Sequence, residues 1–450
     1  MTGILKARLV SRALAGACMF CTLNASALGL MEAYQAAVQN DPTYRSAIFE
    51  NEAGQQNRVL GRASLLPSLS AQYSTTKNRT DLTRPNILGQ LSTTHPAYSS
   101  VVSGVQLRQP LLNLEGVARY RQGIAQTNYS DAVFSVRAKE LIVRLVAAYA
   151  DAQYNENQLA LVIAQRDAFA EQMRVNDRLF QRGEGTRTDM LETQARFDVA
   201  EAQVLEARDN VTSARNALAA ITGLEINSLD RLSDNFKVQP MEPETFEQWK
   251  AIALERNAEI EAQRYAVEVA RNEINRNRAG HAPRVDLVAS LGRNKGETLS
   301  TLDQESTARA VGVQVTIPLY SGGAVSASTS QSVSNFEKAK SDLDAKTNQV
   351  LVELRKQYNL VLSSASRIDA LVKSVESATM LVNATEKSIK AGVRINLDLL
   401  NAKQQVYTAQ RDLAQARYNY LLSYLRLRSS AGILDADHVR NVAGYFVASR

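Results

Sequence analysis

The sequence predicts a mixed α+β fold made of two similar halves, in which very long helices are joined to pairs of strands. Three observations support this prediction. The two halves resemble each other, two long segments without proline have a coiled-coil pattern, and four short segments alternate between apolar and polar residues. Glycine and proline are also scarce for 450 residues, at 21 and 9, which is typical of chains rich in long helices.

The first 27 residues are typical of a secretory signal peptide. The basic segment MTGILKARLVSR precedes the short apolar run ALAGACMFCTL, and Ala25 to Ala27 has the small-x-small pattern of a cleavage site. We therefore expect cleavage between Ala27 and Leu28. An uncleaved membrane anchor and lipidation at Cys18 are alternatives. The apolar run is too short to span a bilayer, and the leucine before Cys18 lies one position too far away for a lipidation motif.

Cleavage would change the chemistry of the chain. Both cysteines, Cys18 and Cys21, lie within the signal, so the mature chain would contain no disulfide. Removing the three basic residues of the signal lowers the formal net charge from +6 to +3. That charge is too small to suggest a nucleic-acid partner. No later segment approaches 18 consecutive apolar residues, so we expect no transmembrane helix.

An internal duplication relates the two halves. Shifted by 209 residues, GEGTRTDMLETQARFDVAEAQVLEARDNVT (183–212) aligns without a gap with GVRINLDLLNAKQQVYTAQRDLAQARYNYL (392–421). This alignment places Asp189 on Asp398, each a few residues after a glycine and close to the start of a predicted helix. The same helix therefore occurs twice in one chain.

The duplication divides the mature chain into two repeats. The first repeat covers residues 28–224 and the second covers 246–434, and each reads as helix, strand, strand, very long helix, helix. A linker at 225–245 contains two prolines and joins the repeats as an equatorial region. A C-terminal tail follows at 435–450.

Two segments predict helices of unusual length. Glu115 to Arg182 and Gly323 to Ala391 contain no proline, and at 1.5 Å per residue each helix would be roughly 100 Å long. Apolar residues in the second segment recur every seven residues, which indicates a coiled coil: Leu354, Val361, Ile368, Val375, Val382 and Ile389. The first segment repeats this pattern less regularly. An ordinary helical bundle is the alternative, but bundle helices seldom reach this length.

Period-two alternation predicts two strands in each repeat. The apolar positions of the four strands are Leu69, Ala71 and Tyr73; Val105 and Leu107; Val285, Leu287, Ala289 and Leu291; and Val311, Val313, Val315 and Ile317. About ten residues is the length of a tilted strand that crosses a bilayer. Polar loops at 77–95 and 293–307 separate the strands of each pair.

Four strands cannot close a membrane barrel by themselves, because the smallest such barrels have eight. An open edge in lipid would leave backbone groups without hydrogen-bond partners, at a cost of several kilocalories per mole each. We therefore expect several chains to share one barrel, with eight strands from two copies or twelve from three. Tyr73, Tyr98 and Tyr320 are candidates for an interfacial aromatic belt, and ordinary packing is the alternative.

These motifs together resemble the TolC-type outer-membrane channel family of Gram-negative bacteria. The motifs are NDP near the mature start, PLYSGG after a strand, G-x-x-x-x-x-D-x-L at the start of the last helix, and ARYNYLLSYLRLRSSAGIL at its end. The resemblance covers Leu28 to Leu434. It implies a homotrimer with a 12-stranded outer-membrane β-barrel, four strands per chain, continuous with a long α-helical coiled-coil periplasmic tunnel.

The resemblance also implies a function and partners. The phrases YQAAVQNDPTYRSA and YNYLLSYLRLRSSAGIL look most like members that serve type I secretion, such as the outer-membrane components of protease exporters. Such a channel works with a periplasmic adaptor and an inner-membrane ABC transporter, and sits in outer-membrane lipid with a large periplasmic portion. The exit duct of a multidrug efflux pump is an alternative. A periplasmic coiled-coil adaptor or scaffold is an alternative of another class.

The resemblance places a closable aperture at the periplasmic tip, lined by acids near the start of the last helix. Motif alignment assigns this role to Asp398, and three copies of Asp398 would ring the pore and attract cations. The family pattern has a second acid where this chain has Asn401. Arg394 and Asp189 at matching tip positions are expected to form links that hold the aperture shut. Stabilisation of a helix start is the alternative role for both acids.

Patterns that would indicate an enzyme are absent from the sequence. His95, His281 and His438 are far apart and lack the spacing of metal ligands. Neither a serine nucleophile elbow nor a phosphate-binding glycine loop occurs. We therefore expect no enzymatic activity, no metal and no cofactor.

Overall fold

The computed structural model describes residues 27–233, 236–296 and 304–447. Apart from Ala27, the predicted signal peptide lies outside these ranges. The helices and strands of the first repeat and the linker are α1 (Leu30–Asn40), α2 (Pro42–Ala63), β1 (Ser68–Arg79), β2 (Leu82–Pro85), β3 (Leu91–Thr94), β4 (Ala97–Leu112), α3 (Leu114–Gln181), α4 (Arg187–Thr222) and β5 (Arg231–Leu232).

The second repeat follows the same order. Its elements are α5 (Phe246–Arg256), α6 (Ala258–Arg278), a 3-10 turn (Ala279–His281), β6 (Arg284–Gly296), β7 (Gln304–Thr316), α7 (Ala324–Lys390) and α8 (Asn396–Ser430). The tail contains α9 (Ala436–Ala443) and β8 (Phe446–Val447). Strand β8 pairs with β5, so the tail is tied to the linker.

The two long helices confirm the sequence prediction to within one residue at each end. They contain 68 and 67 residues. In α7 the predicted apolar row is buried at Leu354, Val361 and Ile368, and half-buried further along. The corresponding row of α3 is buried at Leu145, but Phe180 is exposed, because it lies in the last turn before the helix ends.

The helices form two connected layers. Away from the sheet, α3 packs along α4 and α8, and α8 packs along α7. Nearer the sheet, α3 packs along α2 and α6, and α6 packs along α7. The helices α4 and α7 therefore form the free sides of one layer, and α2 and α7 those of the other.

The main hydrophobic core lies where these two layers meet. It includes Trp249, Tyr149 and Tyr420, which are among the largest fully buried side chains. The Tyr149 hydroxyl donates to the Leu28 carbonyl oxygen at 2.8 Å and accepts from the Asp230 amide at 3.2 Å. Burial raises the pKa of this hydroxyl, so it remains protonated and able to donate. The start of the predicted mature chain is thereby fixed to the core.

The long strands form one antiparallel sheet in the order β1–β4–β6–β7. Strand β4 of the first repeat pairs with β6 of the second, so the sheet joins the two repeats. The outer edges of β1 and β7 pair with no strand in the described part of the chain. The four predicted strands are confirmed, and each is longer than the run of alternating apolar residues that predicted it.

The predicted polar loops are partly wrong. Strand β1 extends into 77–95 as far as Arg79, and β2 and β3 form a hairpin within this range whose turn is closed by Asn86. In the second loop, 293–307, both ends belong to strands, and 297–303 lie outside the described residues. The alternation of apolar and polar residues shows where the apolar face of a strand ends. Backbone pairing continues beyond that point through polar residues, so the strands are longer than the alternation indicates.

One face of the sheet is apolar and exposed in the single chain. Leu69, Tyr73 and Val311 lie on it, with 71%, 72% and 78% of their surface exposed. Tyr98 has the opposite parity along its strand and lies on the other, polar face, so it cannot belong to the same aromatic belt as Tyr73. Tyr320 follows β7 and is exposed.

Within the described ranges, no helix combines the length and the apolar character needed to cross a bilayer.

Candidate functional site at the helical tip

Two helix-to-helix turns form the end of the molecule furthest from the sheet. One connects α3 to α4 and the other connects α7 to α8. Gly183 and Gly392 have φ values of +75° and +73°, a left-handed conformation that favours glycine after a helix end. A cavity of about 650 Å³ lies between the two turns and is lined by side chains from both, including Asp189 and Arg394.

Asp189 makes the contacts of a helix cap. Its Oδ2 accepts from the Thr186 amide at 3.4 Å, and its own amide donates to Thr186 Oγ1 at 3.1 Å. These contacts form a capping box at the start of α4. Within one chain, Asp189 therefore stabilises a helix start, which was the alternative role expected from the sequence.

Arg394 and Asp398 form an ion pair one helical turn apart. Arg394 Nη1 lies 3.5 Å from Asp398 Oδ2, and their side chains are 54% and 34% exposed. Arg394 thus contacts Asp398 within the chain, while Asp189 lies on the other side of the shared cavity. The exposed fraction of Asp398 leaves its carboxylate accessible to solvent and to ions.

A buried polar cluster, which the sequence analysis missed, joins the two helical hairpins beside these acids. The cluster consists of Gln172, Asn176, Thr193 and Asn396. Asn176 Nδ2 donates to Thr193 Oγ1 at 2.7 Å, and Asn396 Nδ2 donates to the same oxygen at 3.2 Å. Gln172 Nε2 donates to Asn396 Oδ1 at 2.9 Å. Thr193 is 0% exposed, so its hydroxyl has no access to water.

Contacts above the buried polar cluster are also mainly polar. Arg196 donates to the Asn401 side chain at 3.0 Å, and Gln165 donates to Gln404. Between these bonds lies a small apolar cluster of Phe169, Ala200 and Leu400. Each hydrogen bond contributes only about 0.5–1.5 kcal/mol net. Near the tip, the contact between the α3–α4 and α7–α8 hairpins is therefore weaker than the main core, and it could rearrange more easily.

An ionic cluster lies at the foot of the sheet, where the strands meet the helices. Asp286 is 0% exposed and lies between two guanidinium groups. Arg108 Nε and Arg284 Nε each donate to Asp286 Oδ2 at 3.0 Å. In the described parts of the four long strands, these three are the charged residues of the polar face. The cluster links β4 to β6, where the two repeats meet.

The three histidines do not converge. His95 Nδ1 lies 2.5 Å from Asp81 in the β2–β3 hairpin region, and His438 contacts Asp435 and Arg428 at the start of α9. Over the described ranges, no group of three or more His, Cys, Asp or Glu residues is arranged to hold a metal ion.

Known proteins resemble the chain along almost its full length. The sequence model of the family described as outer membrane efflux protein matches residues 33–224 and 249–433, one match for each repeat. The alkaline protease secretion protein AprF of Pseudomonas aeruginosa is 44% identical over 427 residues, covering 94% of this chain and 89% of AprF. The proteases secretion protein PrtF of Dickeya chrysanthemi is 40% identical, covering 94% and 92%.

A solved structure supports the fold independently. The CmeC outer membrane channel of Campylobacter jejuni superposes with a TM-score of 0.77, covering 98% of this chain and 97% of CmeC, at 17% sequence identity. At that identity the likeness concerns the fold alone.

Proposed function

Because the chain belongs to the outer membrane efflux protein family, we propose that it is the outer-membrane channel of a type I secretion system, passing unfolded protein substrates to the outside. The observation that carries this function is the high identity to two protease secretion proteins along both repeats. The family is one of channels and transport proteins, and the chain is an outer-membrane protein with a large periplasmic portion.

The exposed sheet supports closure into a shared barrel. The edges of β1 and β7 pair with no described strand, and the apolar face beside them is bare. In a bilayer, unpaired edges and an isolated four-stranded sheet would be costly. Three chains in a homotrimer would supply twelve strands, with the apolar faces toward lipid and the polar faces toward a wet lumen.

The helical layer supports the same closure. Leu205 on α4 points away from the α3 contact, and Val352 on α7 points away from the α8 contact, and both are largely exposed. When chains are arranged in a ring, α4 of one chain meets α7 of the next. Apolar side chains on both free sides fit such a contact, which would continue the barrel as a coiled-coil tunnel.

The tip is the proposed aperture. Three copies of Asp398 would form a ring of accessible carboxylates at the narrow end of the tunnel, with Arg394 beside each one. By exchanging Asp398 for Asp189 of a neighbouring chain, Arg394 would link two chains across the tip. The buried polar cluster holds the two hairpins of each chain together, and its rearrangement would let the ring widen.

The partners follow from the position of the tip. Val393 and Ile395 in the α7–α8 turn are 79% and 62% exposed, so the turn offers an apolar surface at the periplasmic end. We assign this surface to a periplasmic adaptor, which would connect the channel to an inner-membrane ABC transporter. A free periplasmic scaffold is less consistent with the chain, since its sheet would leave an apolar face in water.

Complementation tests the secretion role. Expressed with its signal peptide in Pseudomonas aeruginosa lacking AprF, the chain is expected to restore alkaline protease in the culture medium. Outer-membrane localisation of the chain is measured in the same cells. If the chain reaches the outer membrane and restores drug resistance to an efflux mutant, but no protease appears outside, the efflux alternative replaces the secretion proposal.

A further inference from the structure

The apolar face of the sheet carries charged residues only in its half next to the strand-connecting loops. Within the described parts of β1, β4, β6 and β7, the charged residues on this face are Lys77, Arg79, Arg293, Lys295, Glu305 and Arg309. The half nearer the helices carries none, and beyond it the chain continues through Ile317, Leu319 and Tyr320, all exposed. The face is therefore asymmetric along the strands.

Four of these residues lie next to one another by strand register. Arg309 is opposite Leu291, Arg293 follows Leu291 on the same face, and Lys295 follows Arg293. Lys77 lies two positions beyond Thr75 on β1. Thr75 pairs with Val101 on β4, and Val101 pairs with Lys295 on β6. We call these four residues, Lys77, Arg293, Lys295 and Arg309, the basic belt.

The position of the basic belt coincides with the end of the apolar band. One set of residues paired across the four strands is apolar: Leu69, Leu107, Ala289 and Val311. Four residues further along β1 and β6, Tyr73 and Arg293 lie at the same level, because both pair with Ser103 of β4. At 3.3 Å per residue the belt extends over roughly 20 Å along tilted strands. Tyrosine at such a boundary marks the headgroup level of a bilayer. The belt thus begins where lipid headgroups would lie.

Among the residues that the structure describes, the charges of the basic belt mostly have no ion-pair partner. Arg293 contacts Glu305 at 2.5 Å. Lys77, Lys295 and Arg309 are exposed and form no ion pair with another residue in the described ranges. Together with Glu305, the four belt residues leave a surplus of three positive charges per chain among the described residues, on a face that otherwise suits lipid. Such a cluster at a membrane surface attracts anionic headgroups, and arginine in particular matches phosphate geometry.

We infer that the basic belt binds the phosphate groups of outer-leaflet lipid, anchoring the barrel to a lipid with several phosphates per headgroup such as lipopolysaccharide. The inference rests on the proposed barrel, because only a membrane-inserted sheet places this face against lipid. The asymmetry of the face is the argument for lipid over a soluble protein partner: the cations lie on the same face as the apolar band and begin where that band ends. The belt would also fix the height of the barrel in the membrane.

The test compares two triple variants of the detergent-purified mature protein. Lys77→Gln/Lys295→Gln/Arg309→Gln removes three unpaired charges of the belt. Arg45→Gln/Arg58→Gln/Arg62→Gln removes three exposed arginines of α2 and serves as the matched control. The midpoint temperature of unfolding is measured with added lipopolysaccharide, with enzymatically dephosphorylated lipopolysaccharide, and with inorganic phosphate. A ligand that binds the folded state raises this midpoint.

Lipopolysaccharide is expected to raise the midpoint of the wild type and of the control. The belt variant should lose at least half of that increase, and dephosphorylated lipid should have little effect on any of them. An equal increase in all three proteins overturns the inference, as does an increase by inorganic phosphate alone. Pore formation in bilayers is measured on the same samples. Wild type that forms pores but gains no stability from lipopolysaccharide refutes only the belt, whereas wild type that inserts in no membrane refutes the barrel itself.

Discussion

Asn176, Thr193 and Asn396 are joined by hydrogen bonds beside the tip, and in the proposed aperture they would hold the two hairpins together. Thr193 Oγ1 accepts from both asparagines and is fully buried. Its replacement by valine keeps the shape but removes the acceptor of the Asn396 amide, which is the bond that crosses between the two hairpins. Asn176 Nδ2 keeps the Asp189 carbonyl oxygen as a second acceptor at 3.3 Å. The cost is about 1–3 kcal/mol, which would apply to the closed arrangement and not to one in which the hairpins have separated.

Thr193→Val is therefore expected to increase opening. A coupling of about 1–3 kcal/mol corresponds to about a 5- to 150-fold change in an equilibrium, and single-channel recordings would show the open fraction rising within this range. Thr379→Val on α7 is the matched control, because the Thr379 hydroxyl is exposed and bonds only to its own helix at Val375. If both variants conduct like the wild type, the buried polar cluster does not hold the tip closed.

Sequence patterns could place Asp189, Arg394 and Asp398 at the tip, but they could not predict the buried polar cluster. Its members come from three helices, and Thr193 and Asn396 are more than two hundred positions apart. A polar residue at a coiled-coil core position is a weak signal, because Gln153 and Gln357 also occupy buried positions without joining such a cluster. The partner of each polar side chain depends on how the two hairpins pack.

At the scale of elements, the free side of α4 determines whether chains can close into a ring. Leu205 is 59% exposed on the side of α4 opposite its buried face. Leu205→Glu would place a charge in the proposed contact with α7 of the next chain without touching the core of its own chain. We expect the trimer to dissociate at a lower temperature in semi-native electrophoresis, while helix content measured by circular dichroism stays the same.

Leu205→Ala provides the control for that variant, since it removes apolar surface without burying a charge. It should weaken the trimer much less than Leu205→Glu. A Leu205→Glu trimer as resistant to heat as the wild type would mean that the free side of α4 faces solvent in the assembled channel.

The predictability of the elements depended on their periodicity. Helices α3 and α7 were predicted to within one residue, because sixty or more residues without proline and with a heptad pattern have one reasonable interpretation. The β2–β3 hairpin was not predicted, because it lacks an apolar face and depends on a local turn at Asn86. The pairing of β4 with β6 could not be predicted either, since it joins strands from different repeats.

At the scale of the whole molecule, the sheet and the helical part each have apolar sides without a partner in the described single chain. One ring of chains would cover both. The sheet exposes the edges of β1 and β7, and the helices expose α4 and α7. The ring would carry Asp286, locked between two arginines, at the junction of sheet and helices, and the accessible Asp398 at the far end of the helices.

Single-channel conductance of the purified mature protein in planar bilayers tests the central claim most directly, with Asp398→Ala measured alongside. We expect low-conductance pores that prefer cations, because the proposed ring of Asp398 carboxylates would attract them at the narrow end of the tunnel, and the preference should fall in Asp398→Ala. Asp189→Ala is the control, since Asp189 caps α4 and should affect selectivity less. Correctly folded trimers extracted from outer membranes that form no pores would contradict the channel, and pores of unchanged selectivity in Asp398→Ala would remove Asp398 from the aperture.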